Sequence, residues 1–233
     1  MPTAALSVIN NLFPNFNLQE FLITILVLCI SLSIHEAAHA WAAYRLGDDT
    51  AALQGRLTLN PLAHLDPIGA LCFIIARIGW AKPVPINPAR FNHKYTIKQG
   101  ILLTSLAGPV SNLALATVSA FLVYLTEIIY RAVYTGGSVF FITIWLQLLL
   151  MLYTANISLA MFNLLPVPPL DGYKVFGAAL PGRLYYKLME FERVIGLAFL
   201  LLIFFGRPVL SSAILAVVTF ANKIFPWMAA YFR

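Results

Sequence analysis

The sequence predicts an all-α membrane protein: a polytopic bundle of about five spanning helices with a small β or re-entrant segment after the first. Three observations carry that prediction. The 233 residues are 61% hydrophobic and only 10% charged, where soluble domains run at about 25% charged, and the mean hydropathy is +0.83. The apolar residues gather into runs near the roughly 20 residues that a helix needs to cross a bilayer. The first of these runs also carries ionisable residues, His35-Glu36-Ala37-Ala38-His39. At membrane depth such groups cost roughly 2.5–3.5 kcal/mol each on insertion scales, and they mark function. The whole chain, residues 1–233, is expected to form one membrane-embedded domain, with a core over about 18–176 and C-terminal helices over about 193–226.

The first span is expected over Leu18 to Arg45, where only Thr24, Ser31 and Ser33 interrupt the apolar stretch from Phe21 to Ile34. Met1 to Gln19 holds no Lys or Arg, so it lacks the basic region of a signal peptide and the span reads as retained. Leu46-Gly47-Asp48-Asp49 ends it with a C-terminal glycine and a polar turn. From Leu53 to Leu59 apolar residues alternate with Gln54, Arg56 and Thr58, which predicts a short strand. Asn60-Pro61 and Asp66-Pro67 punctuate the next stretch. Ile68 to Trp80 is apolar, too short for a span and contains Arg77, so a re-entrant or interfacial element is expected. Lys82 to Pro88 holds three prolines and reads as extended backbone, which must pack on protein or lie at the interface.

A second span is expected over Ile97 to Tyr130, containing Ala107-Gly108-Pro109-Val110-Ser111-Asn112, and a third over Phe140 to Leu165. The third stops at Pro166-Val167-Pro168-Pro169-Leu170-Asp171-Gly172, because a helix cannot continue through such a run of prolines. Val194 to Phe205 and Pro208 to Ala221, parted by Gly206-Arg207, are either two spans or one broken hairpin. Cys29 and Cys72 have no C-x-x-C spacing and read as small hydrophobes.

The net charge of +6 is spread through the loops, so it points to orientation and away from nucleic acid. With five spans and the N-terminus outside, only Arg131 and Arg207 of the fifteen Lys and Arg residues fall on the outer side. By the positive-inside rule the C-terminus is then cytoplasmic.

His35 and His39, four residues apart, stand above one another on one helix face and can close on a single metal ion. Glu36 lies one step round, placed as a general base for an attacking water. This is the H-E-x-x-H pattern of zinc metalloproteases.

Taken together, HEAAH at 35–39, AGPVSN at 107–112 and NLLPVPPLDG at 163–172 resemble the site-2 protease family of intramembrane zinc metalloproteases. Asn163, Pro166, Pro168, Leu170, Asp171 and Gly172 match the family's N-x-x-P-x-P-x-L-D-G pattern. Asn60-Pro61, His64, Asp66-Pro67 and Gly69 are similar to the compact bacterial and archaeal members. The resemblance covers roughly Leu18 to Phe176, without the PDZ domain that many members carry. It implies one zinc ion held by His35, His39 and Asp171, with Glu36 as catalytic base. It also implies single-span membrane proteins as substrates and a prokaryotic plasma membrane as the location. Asn112 and Asn163 are candidates for binding substrate and stabilising the oxyanion through an amide N–H, beside the alternative that they bond helix to helix. Asp171 alone would read as a turn residue, but its place after a proline-broken helix favours the ligand. His64 is a candidate for supporting the ligands from behind or for gating, since the ligand set is complete without it. Two competing functions are a metal transporter, which should show more His and a polar path, and an inactive scaffold of the same fold that binds membrane helices. The placing of Glu36 and all three ligands weighs against both.

Overall fold

The computed structural model describes residues 17–76, 79–133, 136, 138–181, 184 and 190–232. Asn17 opens the first helix, α1 (Leu18–Arg45), by accepting the Glu20 N–H with its side chain at 3.2 Å. The expected glycine closes it: Gly47 has φ +102, and the amides of Gly47 and Asp48 return to the carbonyls of Tyr44 and Ala43 in a Schellman cap.

The strand expected over Leu53–Leu59 does not form. Thr50–Leu53 is instead a single helical turn, α2. Gly55, with φ +65, ends it by the same device, the Arg56 and Gly55 amides bonding to the carbonyls of Ala51 and Ala52. The alternation is a coincidence of a capped turn with an exposed loop: Leu53 and Leu59 are 73% and 65% exposed, while Arg56 is buried. The punctuating dipeptides are helix starts. Asn60 caps α3 (Pro61–His64) through the Leu62 N–H, and Asp66 caps α4 (Pro67–Ala76) through the Gly69 N–H at 2.7 Å. In both, proline takes the first helical position, where no donor is needed.

At ten residues α4 is about 15 Å long and too short to cross a bilayer. The chain comes back beside its own start: Leu65 bridges Ala81 antiparallel, and the Lys82 N–H donates to the His64 carbonyl at 2.8 Å. That return makes a hairpin, with the isolated bridge as its only β pairing among the described residues. Arg77 lies outside those residues. Arg56 Nη2 donates to the Lys82 carbonyl at 2.6 Å, tying the hairpin base to the preceding loop.

Two long helices complete the scaffold. The helix α5 (Ile97–Val133) runs straight through Pro109 for 37 residues, and α6 (Phe140–Asn163) returns beside it. Buried Ala116 and Ala120 let α5 approach closely, with Val123, Leu149, Tyr153 and Ile157 filling the seam. Asn156 on α6 donates to Ser31 on α1 at 2.8 Å, a polar tie of the kind that joins spans. After the prolines, α7 (Asp171–Ala179) packs on α5, and α8 (Glu192–Phe205) and α9 (Arg207–Ile224) meet at Gly206.

Among the described residues three helices, α1, α5 and α6, are long and apolar enough to cross a membrane. The expectation of about five spans therefore stands at three by length and composition. The fourteen residues of α8 reach about 21 Å against a hydrocarbon core of about 30 Å. Arg183, Lys187 and Arg233, counted in the charge asymmetry, lie outside the described residues.

Candidate metal centre

In the second half of α1, Ser31, Ser33, His35, Glu36 and His39 are all buried. His35 and His39 project from one face as their spacing requires, their Nε2 atoms 3.0 Å apart. The break after α6 brings Asp171, in the first turn of α7, to meet them. Its Oδ2 stands 3.2 Å from His35 Nε2 and 3.1 Å from His39 Nε2. A carboxylate at a helix N-terminus is also favoured by the helix dipole. These three residues form a group that could hold a metal ion.

The chemistry of the donor set fits a cation. His35 Nδ1 lies 2.8 Å from Asn112 Oδ1, and His39 Nδ1 lies 2.7 Å from the Thr104 carbonyl. Both partners accept, so each Nδ1 carries its proton and each Nε2 presents a lone pair toward Asp171. Three lone-pair donors facing one another at 3.0–3.2 Å repel unless a positive charge sits among them. Tetrahedral ligands with bonds of about 2.0–2.2 Å stand roughly 3.3–3.6 Å apart, a little wider than the 3.0–3.2 Å found.

The helix α5 supplies the wall. Gly108 passes so close that a Cβ there would overlap His39 Nε2 and stand 2.5 Å from His35 Cε1, so no side chain fits at 108 without displacing a ligand.

Glu36 is held from the other side. Its Oε2 accepts the Val84 N–H at 2.9 Å, and Val84 packs with Ala40 and Ala51. The extended segment is pinned further along, where Asn87 N–H donates to Asp48 Oδ2 at 2.6 Å. Asp48 is fully buried and also accepts from the Thr50 N–H.

Of the residues singled out in the sequence, His35, His39 and Asp171 come together, and Asn112 touches His35. That contact runs through the Asn112 oxygen, while its Nδ2 is buried with no protein partner. Asn163 is the last residue of α6, half-buried, where the helix gives way to the prolines. His64 is 2% exposed and stands outside the metal group, with Nε2 2.8 Å from the Thr58 carbonyl. Thr104 and Val84 act through backbone atoms, for which side-chain chemistry gives no signal. Gly108 is visible within AGPVSN, but its partner is not.

Two buried histidines and a part-buried aspartate, set between helices long enough to span a membrane, define a class: helical membrane proteins with a group inside the bundle that could hold a metal. The chain belongs to peptidase family M50, the site-2 protease family. That family's model matches residues 128–204. A Bacillus subtilis protein named "Putative zinc metalloprotease YwhC" is 43% identical over 181 residues, covering 76% of this chain and 78% of the relative. A Mycolicibacterium smegmatis protein, "Putative zinc metalloprotease Rip2", is 35% identical over 66% of this chain and 55% of its own length. A Methanocaldococcus jannaschii protein, "Putative zinc metalloprotease MJ0611", is 27% identical over 70% of this chain and 73% of its own. No solved structure matches.

Proposed function

We propose that the chain is an intramembrane zinc metalloendopeptidase, hydrolysing peptide bonds in or near the transmembrane segments of single-span membrane proteins. The observation that carries this reading is the convergence of His35, His39 and Asp171 inside the helix bundle, with Glu36 adjacent in the chain and oriented by Val84. The names of the relatives point to the same metal and reaction.

Zinc, when bound by His35, His39 and Asp171, supplies Lewis acidity at the scissile carbonyl and acidifies the attacking water. Glu36 takes the proton of that water and hands it to the leaving nitrogen. One carboxylate oxygen is fixed by the Val84 amide, which leaves the other for the proton. Asn112 holds the His35 tautomer through Oδ1, and its unpartnered Nδ2 and the Asn163 amide serve as donors to the developing oxyanion.

A helical substrate hides its peptide bonds within its own hydrogen bonds, so it must unwind to be cut. Leu53–Leu59 is the end of a capped turn followed by a loop, so it offers no preformed strand edge for a substrate. Along Val84–Asn87, prolines 83, 85 and 88 offer no N–H, and Val84 and Asn87 already donate inward. Ile86 is left as the one free donor among these described residues, so an added strand would be held mainly through carbonyl oxygens.

The test compares the parent with Glu36→Gln, each purified in detergent, for zinc content and for cleavage of a panel of single-span proteins. Equal zinc with cleavage only in the parent is the expected result. Cleavage by both would displace Glu36 as base, and failure of either chain to take up zinc would overturn the reading.

A further inference from the structure

Arg56 is a buried cation without an anion. It is 6% exposed, a guanidinium keeps its proton in proteins, and Arg56 takes part in none of the ion pairs among the described residues. Its Nη2 donates to the Lys82 carbonyl at 2.6 Å, while Nε is buried with no partner. Burying a charge without a counter-ion costs stability, and apolar replacements of buried charges are often neutral or stabilising. Departures of this kind from the rules of burial are found at functional sites. The worth of Arg56 then lies in what its bond to the carbonyl does.

That bond falls on the peptide plane next to Val84. The Lys82 carbonyl shares one plane with the Pro83 nitrogen, and the Val84 N–H shares the next with the Pro83 carbonyl. Only φ and ψ of Pro83 separate the two planes, and the ring locks φ. Fixing the Lys82 carbonyl therefore leaves a single soft torsion between Arg56 and the amide that meets Glu36 Oε2 at 2.9 Å. The other bond at Lys82, from its N–H to the His64 carbonyl, lies beyond that residue's own φ and ψ and gives no such control. Downstream, the next anchor is the Asn87 N–H on Asp48 Oδ2.

Arg56 is also tied to the helix that carries the base. Its N–H donates to the Ala51 carbonyl at 2.8 Å, and Ala51 packs with Ala40 and Val84. Ala40 stands one turn after Glu36 on α1. The contacts close a ring: from Glu36 along α1 to Ala40, across to Ala51 and Arg56, and back through Lys82 and Val84 to the Glu36 carboxylate.

We propose that Arg56 is a positioning residue for the catalytic base: by fixing the Lys82 carbonyl it sets the Val84 amide that orients Glu36. The proposal rests on the protease reading for the role of Glu36, so its first test needs no cleavage.

That test is hydrogen exchange resolved to single amides, on the zinc-loaded chain in detergent, for the parent, Arg56→Met and Arg56→Lys. Methionine follows the arginine stem but has no donor. Lysine restores a cation and a donor without the planar fork. In Arg56→Met the Val84 N–H should exchange about tenfold faster, the protection given by one hydrogen bond. The Asn87 N–H, held by Asp48, should keep its parental rate, and zinc content should be unchanged. Arg56→Lys should fall between the two, and it carries the test if Arg56→Met does not fold. Parental exchange at Val84 in every variant that folds overturns the proposal. Loss of zinc, or equal acceleration at Val84 and Asn87, would make Arg56 a support of the fold at large and overturns it too.

In a cleavage assay Arg56→Met should lower kcat about tenfold with KM held within about twofold, because the base is misplaced while the substrate contacts stay. Arg56→Lys should recover part of that loss in step with the protection of Val84. In Val84→Pro, which has no amide to place, Arg56→Met should cost nothing further. A second tenfold loss there would reveal a separate route and overturn the proposal. Absence of cleavage by the parent, with the Val84 amide released only in the Arg56 variants, would count against the protease reading and leave the clamp standing.

Discussion

His35 and His39 can serve as ligands because their outer nitrogens are bonded elsewhere, to Asn112 Oδ1 and to the Thr104 carbonyl. Such outer partners set ring orientation and tautomer, and losing one commonly costs 10–100-fold in metal affinity. Asn112→Leu should therefore weaken zinc binding by roughly that factor, as read by chelator competition, with the helix content of the protein unchanged. Gly108→Ala should act more severely, because its methyl would press on both rings. We expect loss of zinc stoichiometry measured on the purified chain, and full zinc content in Gly108→Ala would show that α5 can shift away from the site. Asn112 is legible in the sequence as an amide inside a span, which always needs a partner. That the partner is His35 is not, since 77 residues separate the two.

At the scale of elements, the segment between α1 and α5 does the positioning. Its prolines hold Lys82 to Pro88 extended, its Val84 amide orients Glu36, and Asp48 clips its far end to the close of α1. Val84→Pro removes the N–H that Glu36 accepts, together with part of the valine's packing on Ala40 and Ala51. Zinc should stay bound while cleavage drops roughly 10–100-fold, the worth of a hydrogen bond to a charged group. Val84→Ala keeps that amide and should cut at nearly the parental rate; a similar fall in both would assign the effect to packing. The same segment is where the sequence misleads. Period-two alternation at Leu53–Leu59 imitates a strand, but Gly55 and Asn60-Pro61 mark a helix end and a helix start. Those local turn signals outweigh the pattern because the leucines have no sheet to pack against.

At the scale of the whole molecule, α1, α5 and α6 are long and apolar enough to cross the bilayer, and α8 and α9 decide the count. We expect five spans, with the N-terminus outside and the C-terminus inside, which puts the Gly206 turn on the outer surface. A Gly206→Cys chain, with Cys29 and Cys72 replaced by alanine, should be labelled in intact cells by a membrane-impermeant maleimide. Labelling only after permeabilisation would place the turn on the cytoplasmic side and make α8 and α9 an interfacial or re-entrant hairpin.

Composition, apolar runs and three motifs point to the class, the long helices and the three residues that meet as a group able to hold a metal, because bilayer thickness sets helix length and each residue's donor chemistry is intrinsic to it. The tertiary structure alone decided which backbone atoms finish the site: Thr104 and Val84 contribute a carbonyl and an amide that every residue possesses. It also decided that the alternating stretch is a capped turn, and that Arg56 within it reaches the Lys82 carbonyl. Those facts depend on how helices distant in sequence pack together, and a linear pattern carries no record of which surfaces meet.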